Sequence, residues 1–247
     1  MKPEAEVKFF DGFVEEHGEY DVLGEGAYRR LLSRFEKLCK PRAREKCADC
    51  GCGTGAFTRR LLQFDLDVLG IDISPGSIRA AQAQASCETY RVGDITELAA
   101  PDETLDIVVF SGVLHHFPES RLRSRILREA FRVLKPGGRV FAFDPSAHSP
   151  SMWLYRSPTS PFYSQAGKTD NEVLLTRAQL GRELQQAGFE AISVRGIGGI
   201  TYRYVEGRVA RRFLPLYNAY ETVLGMSALE RWWGTFLISF GMKPSCR

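Results

Sequence analysis

The sequence predicts an α/β protein, a doubly wound, mostly parallel sheet with helices on both faces. Strand-like and helix-like apolar periods alternate from Lys46 to Asp144, and such alternation implies right-handed crossovers between parallel strands. A glycine-rich stretch, DCGCGTGAF at 49–57, follows the first apolar run directly. That junction is where open parallel sheets take their ligands. A third signal is TLDIVVF at 104–110, whose continuous apolar run suits a strand covered on both faces.

Taken in order, residues 1–23 mix Phe9, Phe10, Phe13 and Tyr20 with acids. From Ala27 to Leu38, Tyr28, Leu31, Leu32, Phe35 and Leu38 fall at helical spacing, and Lys40-Pro41 ends that helix. KCADC reads as a short buried strand, and Phe57, Leu61 and Phe64 as the next helical stripe. DVLGID is a second strand. Ser74 then caps a helix that has Pro75 at its first position. TYRV and TLDIVVF are the third and fourth strands, and residues 120–134 carry one apolar helical face. KPGG reads as a turn before a fifth strand, RVFAFD. Residues 145–175 hold prolines and aromatics without a period, as a lid would. Thr176 and Gln179 make a capping box, with Gly188 as the helix stop. FEAISVRG is a sixth strand, 197–233 a variable stretch and GTFLISFG a last strand.

The totals exclude several classes. The 247 residues suit one large domain, and 44% hydrophobic with 26% charged residues is ordinary for a globular chain. A net charge of +3 is too small to predict a nucleic-acid binder. MKPEAEVKFFDGF places acids where an export signal needs an apolar stretch, and no run reaches the roughly 18 apolar residues of a spanning helix. With six scattered cysteines, a reducing cytoplasm is the expected location.

The nine residues at 49–57 pose a choice between ligand-cradling glycines and metal-binding cysteines. Gly51, Gly53 and Gly55 let a backbone approach a ligand at a helix start. Asp72 ends the next strand, close to the ~20 residues downstream expected of an acid that meets ribose hydroxyls. Asp94 ends the third. Three successive junctions thus offer polar groups to one sheet edge. Cys47, Cys50 and Cys52 lack a second ligand pair at zinc spacing, and Cys47 and Cys50 point to opposite strand faces. We therefore expect no metal and inert cysteines.

With these residues in place, the sequence resembles the class I S-adenosylmethionine-dependent methyltransferases. ADCGCGTG, GIDIS, VGDI, LDIVVFSGVLHHFP and LRSRILREAFRVLKPGGRVFAFDP follow that family's order across residues 46–145. The resemblance implies a Rossmann-like, seven-stranded sheet with an antiparallel last strand. It divides the chain into N-terminal cap helices (1–45), a cofactor-binding core (46–145) and variable substrate segments (145–175, 197–233). It implies S-adenosyl-L-methionine as cofactor and S-adenosyl-L-homocysteine as product. Asp49, Gly51, Gly53 and Gly55 would hold the methionine part. Asp72 would take the ribose, with Ile73 on the adenine and Asp94 and Ile95 facing its ring. Ser111 would close the pocket, and Tyr20 would cover it. The spacing Gly51-x-Gly53-x-x-Ala56 also fits an NAD fingerprint, although no second mononucleotide half is evident.

His115 and His116 follow the fourth strand, where a base could serve a hydroxyl acceptor; the plainer reading is a packing or capping role. Trp153, Tyr155, Phe162 and Tyr163 could wall an apolar acceptor site. The basic-aromatic stretch 206–233 suits either a peripheral membrane contact or a helix, interrupted at Pro215, packed over the sheet edge. Arg121, Arg123, Arg125 and Arg128 read as a solvated helix face. The favoured acceptor is a small or lipid-like molecule, with RNA or protein methylation, or a non-catalytic cofactor-binding subunit, as alternatives.

Overall fold

The computed structural model describes residues 3–157, 159–160, 169 and 171–245. Seven strands form one sheet: β1 (Lys46–Cys50), β2 (Asp67–Asp72), β3 (Thr89–Val92), β4 (Leu105–Ser111), β5 (Leu134–Pro145), β6 (Glu190–Ile197) and β7 (Phe236–Met242). Their order is β3-β2-β1-β4-β5-β7-β6. The pairings from β3 to β5 are parallel, and β7 runs antiparallel between β5 and β6. The predicted fold class is therefore observed, including the antiparallel last strand. Strand order reverses between β1 and its neighbours β2 and β4, which opens a crevice at their carboxyl ends.

Nine helices flank the sheet among the described residues: α1 (Pro3–His17), α2 (Glu25–Cys39), α3 (Ala56–Leu61), α4 (Pro75–Ala83), α5 (Ser120–Val133), α6 (Pro150–Arg156), α7 (Arg177–Gln186), α8 (Arg208–Met226) and α9 (Glu230–Trp233). On one sheet face, Ile126, Leu127 and Ala130 of α5 and Leu180 and Leu184 of α7 pack on Ala48, Cys50 and Val108. On the other, Leu31 and Phe35 of α2 and Phe57 of α3 pack on Cys47, Ile107 and Phe141. Each such fully buried large side chain contributes about 1.5–3 kcal/mol. Ser74 accepts from Ser77 N at 2.9 Å at the start of α4, and Thr176 and Gln179 close the capping box of α7.

Four expectations change. KPGG is not a turn before β5 but an excursion inside it: Leu134 pairs with Leu105, and the register then jumps to Ile107↔Arg139. The segment 145–175, expected to lack a period, holds a short helix, α6, capped by Ser149. Pro215 does not interrupt α8, which runs through it; only one backbone N–H is lost, on the helix's exposed side. Finally, Arg123 is not solvated. It is 1% exposed and holds both carboxylate oxygens of Glu183, at 2.7 and 3.0 Å, because α7 packs over that part of α5. Arg121, Arg125 and Arg128 are exposed as expected.

Candidate active site

A cavity of about 210 Å³ lies at the carboxyl ends of the central strands, against the roughly 10–15 Å³ of such volume that one water needs. Gly51 and Gly53 line it from the β1–α3 turn. Both have left-handed backbone, φ 79° and 54°. A Cβ at Gly51 would lie 2.3 Å from the Val113 side chain, whereas one at Gly53 would meet nothing within 4 Å. Gly53 therefore leaves backbone open to a ligand. Gly55 is the N-cap of α3, set against the Tyr90 ring, and does not line the cavity.

Asp72, at the end of β2, accepts from Gly53 N at 2.8 Å and Ser74 N at 2.9 Å. One bond per oxygen leaves lone pairs for ligand hydroxyls. Burial raises its pKa, against those two backbone bonds. Ile73, Asp94, Ile95 and Ser111 also line the cavity. Asp49 lies behind the wall, 0% exposed: Thr58 Oγ1 and Ser111 Oγ donate to it at 2.7 and 2.8 Å. Burial pushes its carboxyl up to about 6, with those bonds opposing.

The helix α1 closes one side of the cavity. Its Asp11 accepts from Ser74 Oγ at 2.5 Å and Gly76 N at 2.9 Å, tying it to the start of α4. Glu6 and Phe10 of α1 then line the cavity beside Tyr20, whose backbone N–H donates to Thr54 Oγ1 at 2.9 Å. Sequence reasoning named Tyr20 but missed Glu6. The signal was present, because Glu6, Phe10 and Phe13 share one helical face.

His115 and His116 both reach the cavity. His115 Nδ1 lies 3.0 Å from Asp144 Oδ1, and burial holds His115 well below its ordinary value and pushes Asp144 up to about 7. His116 Nδ1 lies 3.2 Å from Glu6 Oε2 and 3.4 Å from Thr169 Oγ1. Burial pulls His116 down, but Glu6 and Glu172 outweigh it, so its pKa is raised. Beside them stands an ion pair between Arg156 and Glu172, both lining the cavity. Met152 and Arg156 share the inward face of α6, one turn apart, so Trp153 points outward instead of walling the site. Tyr155 is also outside the lining, and Phe162 and Tyr163 lie outside the described residues.

His115, His116 and Glu172 bring possible ligand atoms within 4.8 Å of one another. The Arg156 guanidinium on Glu172 opposes a cation there. Cys47 and Cys50 pack in cores on opposite sheet faces, and burial raises the pKa of Cys47, Cys50 and Cys52, which keeps them poor ligands. Elemental analysis should therefore find zinc and iron below stoichiometric amounts. A tight metal lost on replacing either set would contradict this.

Residues 48–142 match a family model described as a methyltransferase domain. The chain is 34% identical to 27-O-demethylrifamycin SV methyltransferase of Amycolatopsis mediterranei, over 50% of this chain and 48% of that protein. It is 29% identical to a ubiquinone biosynthesis O-methyltransferase of Pseudomonas fluorescens, over 65% of this chain and 69% of that one. The matches span about half to two thirds of these curated relatives. Among solved structures, Haemonchus contortus phosphoethanolamine N-methyltransferase 2, in complex with phosphomonomethylethanolamine and S-adenosylhomocysteine, superposes with a TM-score of 0.62. It is 17% identical, and the match covers 90% of this chain and 53% of that one.

Proposed function

We propose that this chain, which matches a methyltransferase-domain model over residues 48–142, is a class I S-adenosylmethionine-dependent methyltransferase whose cavity holds S-adenosylmethionine and directs the methyl group to oxygen on a small or lipid-like, partly apolar acceptor. The observation that carries this is the meeting, in one cavity, of the Gly51–Gly53 turn and Asp72 with the His116–Glu6 pair. The residues fit the cofactor. Gly53 leaves backbone open, Asp72 keeps lone pairs that would take ribose hydroxyls, and Ile73, Asp94 and Ile95 line the cavity, where the isoleucines would offer apolar faces to an adenine and Asp94 would accept from its amino group. Asp49 supports this wall through Ser111 and Thr58, and Gly55 starts the helix behind the turn.

The bound cofactor supplies an activated methyl on a sulfonium, so the protein's task is to align the acceptor and accept its proton. His116 is the base in this reading, oriented by Glu6. His115, held neutral by burial, orients the loop through Asp144. The core 46–145 binds the cofactor, while 1–45, 145–175 and 197–233 shape the acceptor end, with Phe10, Tyr20 and Tyr202 around it. One relative is named an O-methyltransferase and another the methyltransferase of a 27-O-demethyl compound, which favours oxygen. Calorimetric titration should show saturable binding of S-adenosylhomocysteine and none of NAD. Cofactor labelled at the methyl group should pass the label to organic-soluble small molecules in a cell extract. Label found in RNA or protein, or in nothing, would overturn the acceptor assignment.

The acid–base role has its own test. His116 in the fold has a pKa above its ordinary 6.5, and a base must be neutral. Turnover should rise with pH through an apparent pKa above that value. Glu6→Gln removes the carboxylate that raises it, so the rising limb should move to lower pH. A limb that stays in place would show that His116 is not the titrating base.

A further inference from the structure

The helix α8 buries Glu221 together with Leu224 and turns a row of its other apolar side chains outward. Glu221 is 0% exposed, accepting from Ile200 N at 3.1 Å and from Thr235 Oγ1. Asn218 bonds both backbone groups of Tyr202 at 2.9 Å. The opposite face carries Phe213, Leu216, Tyr220 and Val223, all exposed, with Leu216 and Val223 at 68%. Their spacing of three, four and three residues makes one continuous stripe. Met226 extends it, and α9 adds Trp232 and Trp233, each about half exposed.

The charges are sorted in the same way. Within 207–233, Glu221 is buried and Glu230 holds Arg30 and Arg34 at 2.5 and 2.7 Å. The exposed charges there are Arg208, Arg211, Arg212 and Arg231 alone. An apolar stripe edged only by arginine, with tryptophan at one end, has the composition of a helix lying in a lipid interface. A second copy of the chain fits less well, because a two-fold contact would face these arginines with themselves.

We propose that α8 and α9 dock this protein on an anionic lipid surface, the stripe entering the headgroup boundary and the arginines meeting acidic headgroups. The surface continues toward the cavity. Tyr155 of α6 donates to Glu206 O at 3.4 Å, just before α8, and α6 exposes Trp153 and Leu154 while its Arg156 lines the cavity. A lipid-borne acceptor would thus meet the protein near its acceptor end. Docking itself stands apart from the methyl-transfer reading, since cofactor titration reports on one and vesicles on the other.

All three tryptophans, Trp153, Trp232 and Trp233, sit on this surface, so the emission of the full chain reports docking directly. Phosphatidylcholine vesicles containing phosphatidylglycerol should shift it to the blue and carry the protein in flotation, and added salt should weaken both. Phosphatidylcholine alone should do so far less. Leu216→Glu with Val223→Glu should lower partitioning about tenfold or more while leaving the melting temperature and cofactor affinity unchanged. Arg211→Glu with Arg212→Glu should remove the preference for anionic vesicles. No binding, equal binding to both vesicle types, or double variants that bind like the parent overturn the proposal. So does a concentration-dependent dimer that the Leu216/Val223 variant dissolves, which would assign the stripe to a second copy.

Discussion

Glu183→Ala should destabilise the protein by about 3–5 kcal/mol, the typical result of stranding one charge of a buried pair. Arg123 and Glu183 have side-chain exposures of 2% and 3%. Without the carboxylate, the guanidinium loses two of its bonds and keeps only the carbonyls of Phe117 at 2.5 Å and Pro118 at 3.0 Å. Ser120 Oγ, which donates to Glu183 at 2.6 Å, loses that partner as well. The melting temperature should fall by roughly 10 °C. Arg123→Met with Glu183→Leu should recover most of the loss, because two apolar groups leave no buried charge. A single variant that melts with the parent would show that the pair is solvated in solution. Phe117 and Pro118 directly follow His116, so turnover in Glu183→Ala should also drop at temperatures where the protein stays folded.

Asp72→Ala is expected to weaken S-adenosylhomocysteine binding by about 1.5–3 kcal/mol, at least tenfold in affinity, as for the loss of a charged hydrogen bond. The carboxylate has two duties. It would accept the ribose hydroxyls, and it braces the glycine turn through Gly53 N. Asp72→Asn retains one acceptor oxygen and should lose less than the alanine variant. Thermal melts of both variants separate a loosened turn from a lost ligand contact. Unchanged calorimetric affinity in folded Asp72→Ala would move the ribose contact elsewhere.

Most elements were legible because their causes are local. The Ser74 cap with Pro75, the Thr176–Gln179 box and the apolar periods of α2, α5 and β4 are each written within a few consecutive residues. The two strand faces of Cys47 and Cys50 follow from the period of two, and they pack in separate cores accordingly. The glycine turn and Asp72 were readable because motif residues at successive strand ends must share one sheet edge. Residues 1–23 and 145–175 were hard to read because their elements are short or lean on distant partners.

The sequence by itself determined the strands, the helices that alternate with them from β1 to β6 and the edge at which the cavity opens, since backbone periodicity and turn chemistry act over one to four residues. Only the tertiary structure decided what covers each face. Glu6 meets His116, Arg123 meets a carboxylate 60 residues away, and α8 hides Glu221 while showing Leu216 and Val223. A helical period states which side chains share a face. Whether that face meets core, solvent or a partner is set by packing between segments far apart in the chain, where burial penalises an unpaired charge and rewards a paired one.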